Sequence, residues 1–270
     1  MKTKIQDMTS GSPGRLVILF AIPLMLGNIC QQLYTMVDTM VVGQIAGVEA
    51  LAALGAVDFL LWVVTGISTG LTQGFSIQLA QYYGAKDFEN LRKSLAHSYR
   101  LTAFIAVGVL ILSQSFASLV LTGLHTPSNI IGMSLLYLRI IFCGIPATAA
   151  YNMFASALRA MGNSKTPLTA MIIASVLNVS LDILFVAGFG WGVAGAAIAT
   201  VIAQSFSAVY CFLILRRIDI VHLTRADFMP ASGMNARLMK LGIPVVFQNI
   251  IIGVGGLVVQ YVINGYGSFL

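Results

Sequence analysis

The chain has 270 residues, of which 58% are hydrophobic and only 9% charged, and its mean hydropathy is +0.90. A soluble domain carries about a quarter charged residues, so this composition excludes a water-soluble globule and places the chain in a bilayer. The net charge of +6 would suit nucleic acid if it were clustered, but it is spread over four separate loops.

A spanning helix needs ~20 mostly apolar residues, and seven stretches supply them. Polar residues fill positions 1–15. The apolar stretch that follows is too long for a signal-peptide core and reads as the first span, 16–43, with Pro23 inside it. The second span runs over 51–82 and ends at the loop Gly84 to Asp87. The third, over 95–121, is closed by Thr126, Pro127, Ser128 and Asn129. The fourth, 130–158, runs into the segment Met161 to Pro167, a helix stop and restart. The fifth, 168–187, turns through the glycine-rich segment Gly188 to Gly192. The sixth, 193–215, leads into a polar stretch, 216–240. The seventh covers 241–262.

The basic residues fall on alternate loops. Lys2, Lys4 and Arg15 precede the first span. Lys86, Arg92, Lys93 and Arg100 lie between the second and third. Arg159 and Lys165 lie between the fourth and fifth. Arg216, Arg217, Arg225, Arg237 and Lys240 follow the sixth. These account for all but one of the 15 Lys and Arg residues, and the loops near Gly47, His125 and Trp191 contain none. By the positive-inside rule the basic side, and with it the N-terminus, is expected in the cytoplasm of a cell-membrane protein. The scatter also argues against nucleic acid as a partner. Arg139 alone is expected inside a span, where it can pair with a carboxylate or snorkel.

The first and seventh spans share a pattern: Ile22, Pro23 and Asn28 coincide with Ile243, Pro244 and Asn249 at a constant offset. Six spans separate the copies, so both helices start from the same side. That is a parallel repeat about an axis along the membrane normal, a known transporter plan. The expected fold is therefore all-α, a polytopic membrane helix bundle. It comprises a cytoplasmic segment over 1–15, a six-helix lobe over 16–216 and a cytoplasmic linker over 217–240. Residues 241–270 would be the first helix of an incomplete second lobe, as in a truncated polypeptide. If 270 residues were the working chain, self-association would be needed to rebuild two lobes.

Carboxylates inside a bilayer cost ~2.5–3.5 kcal/mol at its centre and mark candidate functional positions. Asn178 and Asp182 are one helical turn apart, on one face of the fifth span. At 1.5 Å per residue they stand ~18 and ~24 Å from the inner end. Thr200 of the antiparallel sixth span lies ~12 Å below the outer end, at the depth of Asn178 in a ~30 Å core. A carboxylate, an amide oxygen and a hydroxyl at one depth can hold a proton or a sodium ion; the rival role is interhelical hydrogen bonding. Asp38 lies towards the outer side of the first span, which Pro23 allows to bend. A bendable helix carrying a carboxylate suits a gate. Asp58, nearer the outer end of the second span, reads as a capping or snorkelling residue.

Other motifs lapse in context. Gly66 to Gly70 matches G-x-S-x-G, but a nucleophile elbow needs a strand before it. Asn178 to Ser180 matches a glycosylation sequon inside a span. His97, His125 and His222 lack metal spacing, and Cys30, Cys143 and Cys211 read as small core residues. No phosphate-binding loop is present. Neither enzymatic chemistry nor a cofactor is expected.

Five segments together resemble the multidrug and toxic compound extrusion (MATE) family: Tyr34 to Gly47, Ala50 to Gly55, Ala157 to Pro167, Asn178 to Asp182 and Gly190 to Thr200. The resemblance implies a secondary-active antiporter that exports drugs or organic cations against protons or sodium. It also implies twelve helices in two lobes, and an ion site that falls here on Asp38, Asn178, Asp182 and Thr200. This chain departs from that pattern in length. Two alternatives stand beside it: a lipid-linked sugar flippase, whose cavity would need several cations, and a non-transporting membrane fragment.

Overall fold

The computed structural model describes residues 12–231 and 233–265. Lys2, Lys4, most of the expected cytoplasmic segment and the last five residues lie outside them. The described residues are almost entirely helical and contain no strand. In lipid no water is available to unpaired N–H and C=O groups, so a helix, which pairs its own, is the form an apolar segment takes. Hydroxyls on these helices find acceptors the same way. Thr35, Thr39, Thr65 and Ser175 each donate to the carbonyl four residues earlier.

In chain order the helices are α1 (Pro13–Ile45), α2 (Val48–Gly55), α3 (Asp58–Gly84), α4 (Phe88–Gly123), α5 (Ile131–Cys143), α6 (Ile145–Ala160), α7 (Lys165–Asp182), α8 (Gly192–Arg216) and α9 (Met234–Gly265). Six are long and apolar enough to cross a membrane alone, and α5 with α6 passes the same test only as a pair, bent by 47°. These helices cover the seven apolar stretches expected from the sequence.

Three departures have physical causes. The expected second span is two helices: α2 is a short piece that ends before Ala56 and Val57, and the crossing itself begins at Asp58. Asp58 is exposed in the first turn of α3, where its charge favours the helix N-terminus. The fourth span breaks at Gly144. A β-carbon there would stand 2.6 Å from Val201 Cγ2, and Pro146 removes a donor just beyond. The seventh helix starts at Met234, seven residues before its expected start at 241, so the linker is short.

That linker is tied down rather than loose. Two single 3₁₀ turns, Asp219–Val221 and Arg225–Phe228, carry it, the second closed by a reciprocal Thr224–Asp227 capping box. The N-terminal half of α4 holds it. Arg92 Nε approaches Asp227 at 3.8 Å, Arg100 donates to the Phe228 carbonyl, and buried His97 bridges Asn235 Oδ1 and the Met229 carbonyl. The core has two main parts. One, around Phe75, Leu95, Leu158 and Leu215, lies where α3, α4, α6 and α8 meet the linker. The other, around Val57, Leu138, Phe142 and Ala196, lies towards the opposite end.

Two helices sit at the margin of this bundle. Most side chains of α1 are exposed, and it packs chiefly on α7, with Gly27 against Leu168 and Met171. Helix α9 packs along α3, its most extensive neighbour. Asn249 of α9 donates to the Gly66 carbonyl of α3 at 3.1 Å, and Asn264 donates to the Leu124 carbonyl near the other end.

Candidate functional site

Between α1, α3, α5, α6, α7 and α8 lies a cavity of about 560 Å³, within the range that holds a drug-sized molecule. A shallower groove between α1 and α2, lined by residues such as Met36, Met40 and Leu51, has no charged lining residue. The chemistry therefore concentrates in the larger space. Asp38, Asn178 and Thr200 all line it, with Tyr34, Tyr137 and Gln204 close to them in the wall.

Helix geometry explains the grouping. α7 and α8 are antiparallel neighbours joined by a tight turn, so residues 178 and 200 return to one depth. Asn178 Nδ2 donates to Thr200 Oγ1 at 3.4 Å. α1 packs on α7, and that contact brings the carboxyl groups of Asp38 and Asp182 into side-chain contact. Both are buried, Asp182 completely. Asp38 Oδ1, both Asp182 oxygens and Asn178 Oδ1 find no hydrogen-bond donor among the described residues. Unsatisfied oxygens of this kind are costly in an apolar interior. Four oxygen atoms from three side chains, beside a hydroxyl, form the donor set of a hard cation or a shared proton.

All four residues singled out from the sequence are therefore in one place. Pro23 lies in α1, more than a dozen residues below Asp38, and removes one backbone donor there. Arg139 is exposed on α5 and forms no ion pair among the described residues.

Sequence reasoning missed two features. Immediately after Asp182 the helix widens into a π-helical turn, Ile183–Gly188, a distortion frequent at functional sites. A periodic apolar run gives no sign of it. Arg159 also differs from its expected place among the loop cations. Helix α6 runs to Ala160, so Arg159 occupies its last turn and lines the cavity. Ser156, one turn earlier, accepts a hydrogen bond from Arg159 Nη2 at 3.1 Å.

Known proteins resemble the chain throughout. A family model described as MatE matches residues 23–184. The probable multidrug resistance protein YpnP of Bacillus subtilis is 31% identical over 265 residues, covering 98% of this chain and 59% of that protein. The multidrug export protein MepA of Staphylococcus saprophyticus is 23% identical, covering 93% of this chain and 56% of its own length. Among solved structures, the outward-facing conformation of a multidrug resistance MATE family transporter of the MOP superfamily superimposes with a TM-score of 0.86. Its identity is 26%, and the match covers 93% of this chain and 56% of that one. The chain thus spans under two thirds of the length of these relatives.

Proposed function

The chain belongs to the MatE family of multidrug efflux transporters, and from that premise we propose that it forms the ion-coupling half of an exporter that moves drugs or organic cations against protons or sodium. The observation that carries the reading is the contact of two buried carboxyl groups, Asp38 and Asp182, in the wall of a drug-sized cavity. Two adjoining carboxylates repel unless a proton or a cation lies between them. Nothing among the described residues supplies a basic partner to either. Their occupancy is therefore set by an ion from solution.

The mechanism follows from where the pair is held. Asp38 belongs to α1, the least buried of the membrane-length helices and the one that Pro23 weakens. Asp182 belongs to α7, at the start of the π-helical turn. Binding a proton or sodium ion draws the two helices together, and its loss lets them part. An ion that prefers one arrangement shifts the population towards it by its difference in affinity for the two. Asn178 and Thr200 add neutral oxygens that help replace the ion's water. The substrate is a small molecule in the cavity, and the N-terminus faces the cytoplasm of the cell membrane.

The test is dye efflux from cells, with and without collapse of the proton and sodium gradients. Efflux by the protein that stops with one gradient, and that Asp182→Asn abolishes, supports the reading. Efflux insensitive to both gradients and to the substitution would overturn it.

A further inference from the structure

We propose that the inner end of the cavity is a binding site for an anionic group of the substrate, with the guanidinium of Arg159 as its recognition cation. The inference rests on the exporter reading and adds a substrate class to it.

The cavity carries charged groups of opposite sign at its two ends. On α1 its lining runs from Leu24 to Asp38, about 21 Å of helix. Leu24 lies at the level of the first turns of α7, because Gly27 faces Leu168 and Met171, which a β-carbon there would meet at 3.8 and 3.9 Å. Arg159 is six residues before α7 begins, so it stands at the end opposite Asp38. Such a distance is far beyond the ~4 Å reach of a direct ion pair, and none joins Arg159 to Asp38 or Asp182 among the described residues. Neither acid serves as its counter-ion.

No other acid does so either among the described residues. The ion pairs found there join Arg92, Lys93 and His222 to their acids, not Arg159. A guanidinium has five N–H donors in a planar fork. Ser156 Oγ accepts one of its hydrogen bonds. A solvated loop cation needs no partner, but Arg159 is only partly exposed and lines the cavity beside Gln73, Ser76, Tyr151 and Asn152. These neutral groups can donate to or accept from a ligand without cancelling the charge. A planar fork with open donors is the group that binds carboxylate, sulfonate or phosphate in two-point fashion.

A structural role is the rival account, since a cation in the last turn of a helix also favours its C-terminus. The two accounts differ in what they predict for ligand charge. The probes are rhodamine B, which has a free carboxylate, and its ethyl ester, which has the same ring system and cation but no carboxylate. Fluorescence anisotropy would give the affinity of each for the purified full chain in lipid nanodiscs. In the unsubstituted protein rhodamine B should bind at least as tightly as the ester. Arg159→Gln should shift the ratio of the two affinities towards the ester by about tenfold or more, since charge-assisted pairing is lost. Arg159→Lys should restore part of that ratio.

A strong preference of the unsubstituted protein for the ester would overturn the inference without any variant. So would a ratio that Arg159→Gln leaves unchanged, which is what loss of a helix-capping charge predicts. In either case, gradient-driven efflux of the ester from cells would leave the exporter reading standing. Failure of both dyes to bind would remove the two together.

Discussion

Asp38 of α1 and Asp182 of α7 bring their carboxyl groups into contact inside the bundle, and no Lys or Arg among the described residues pairs with either. Two consequences can be measured. Asp182→Asn removes one charge of the pair while keeping its shape. Substrate binding should survive and ion-coupled efflux should fall by at least about tenfold, as for loss of an essential proton-transfer group. Thermal stability in detergent should hold or rise, because a buried repulsion is relieved. A large fall in melting temperature with efflux retained would show the pair to be structural.

Thr200 supplies a neutral hydroxyl to the same site through its 3.4 Å contact with Asn178. Thr200→Val keeps the volume and removes the oxygen. The expected loss of stability is small, about 0.5–1.5 kcal/mol for one hydrogen bond. If the hydroxyl is an ion ligand, the ion concentration for half-maximal efflux should rise while the maximal rate changes little. A dose-response curve in sodium and in pH separates these two parameters.

Asp87 caps α4 from outside the membrane. Its carboxylate accepts from the Asn90 side chain and from the Asn90 backbone N–H, and these bonds, the side-chain one first, hold its pKa below the ordinary carboxylate value. A depressed folded-state pKa means that the cap contributes fully above the unfolded value, about 3.9, and is lost as pH falls through the lower one. Exchange of the Asn90 amide should therefore be slow and free of any cap-linked change from neutral pH down to about 4, then quicken below it. In Asp87→Ala it should be fast throughout.

Much of this site was legible because two periodicities met. Rise per residue gave Asn178 and Thr200 equal depth, and apolar runs with basic loops gave the helix order, so their contact needed no tertiary information. Asp38 was different. Its place beside Asp182 depends on α1 packing against α7, a relation between distant segments to which spacing is blind and which only the family resemblance supplied. The widened turn at Ile183–Gly188 and the inward reach of Arg159 were invisible for a related reason. The first is a departure from regular helix geometry, over which hydropathy averages, and the second depends on which way the last turn of α6 faces in the bundle. The break at Gly144 lay in plain sight as Gly144 and Pro146, but an apolar stretch of that length reads equally well as one straight span.

Helix α9 docks on α3 through glycines rather than through interlocking large side chains. A β-carbon on Gly70 would stand 2.8 Å from both the Cα and the N of Val246, and one on Gly74 would overlap the backbone of Gly242. Without a hydrophobic drive between helices in lipid, close backbone approach of this kind supplies the packing energy. Neither neighbour is a flexible side chain that can swing aside, so the helices themselves must separate. Gly70→Ala should cost about 1–3 kcal/mol, the usual range for overpacking. Gly84→Ala, where a β-carbon meets nothing within 4 Å, is the matched control and should cost little. Paired cysteines at Val63 and Gly253, whose side-chain positions adjoin, would report the geometry directly. Disulfide formation between them should be efficient in the parent chain and should drop in Gly70→Ala. Equal cross-linking in both would mean that α9 does not rest on α3 in the membrane.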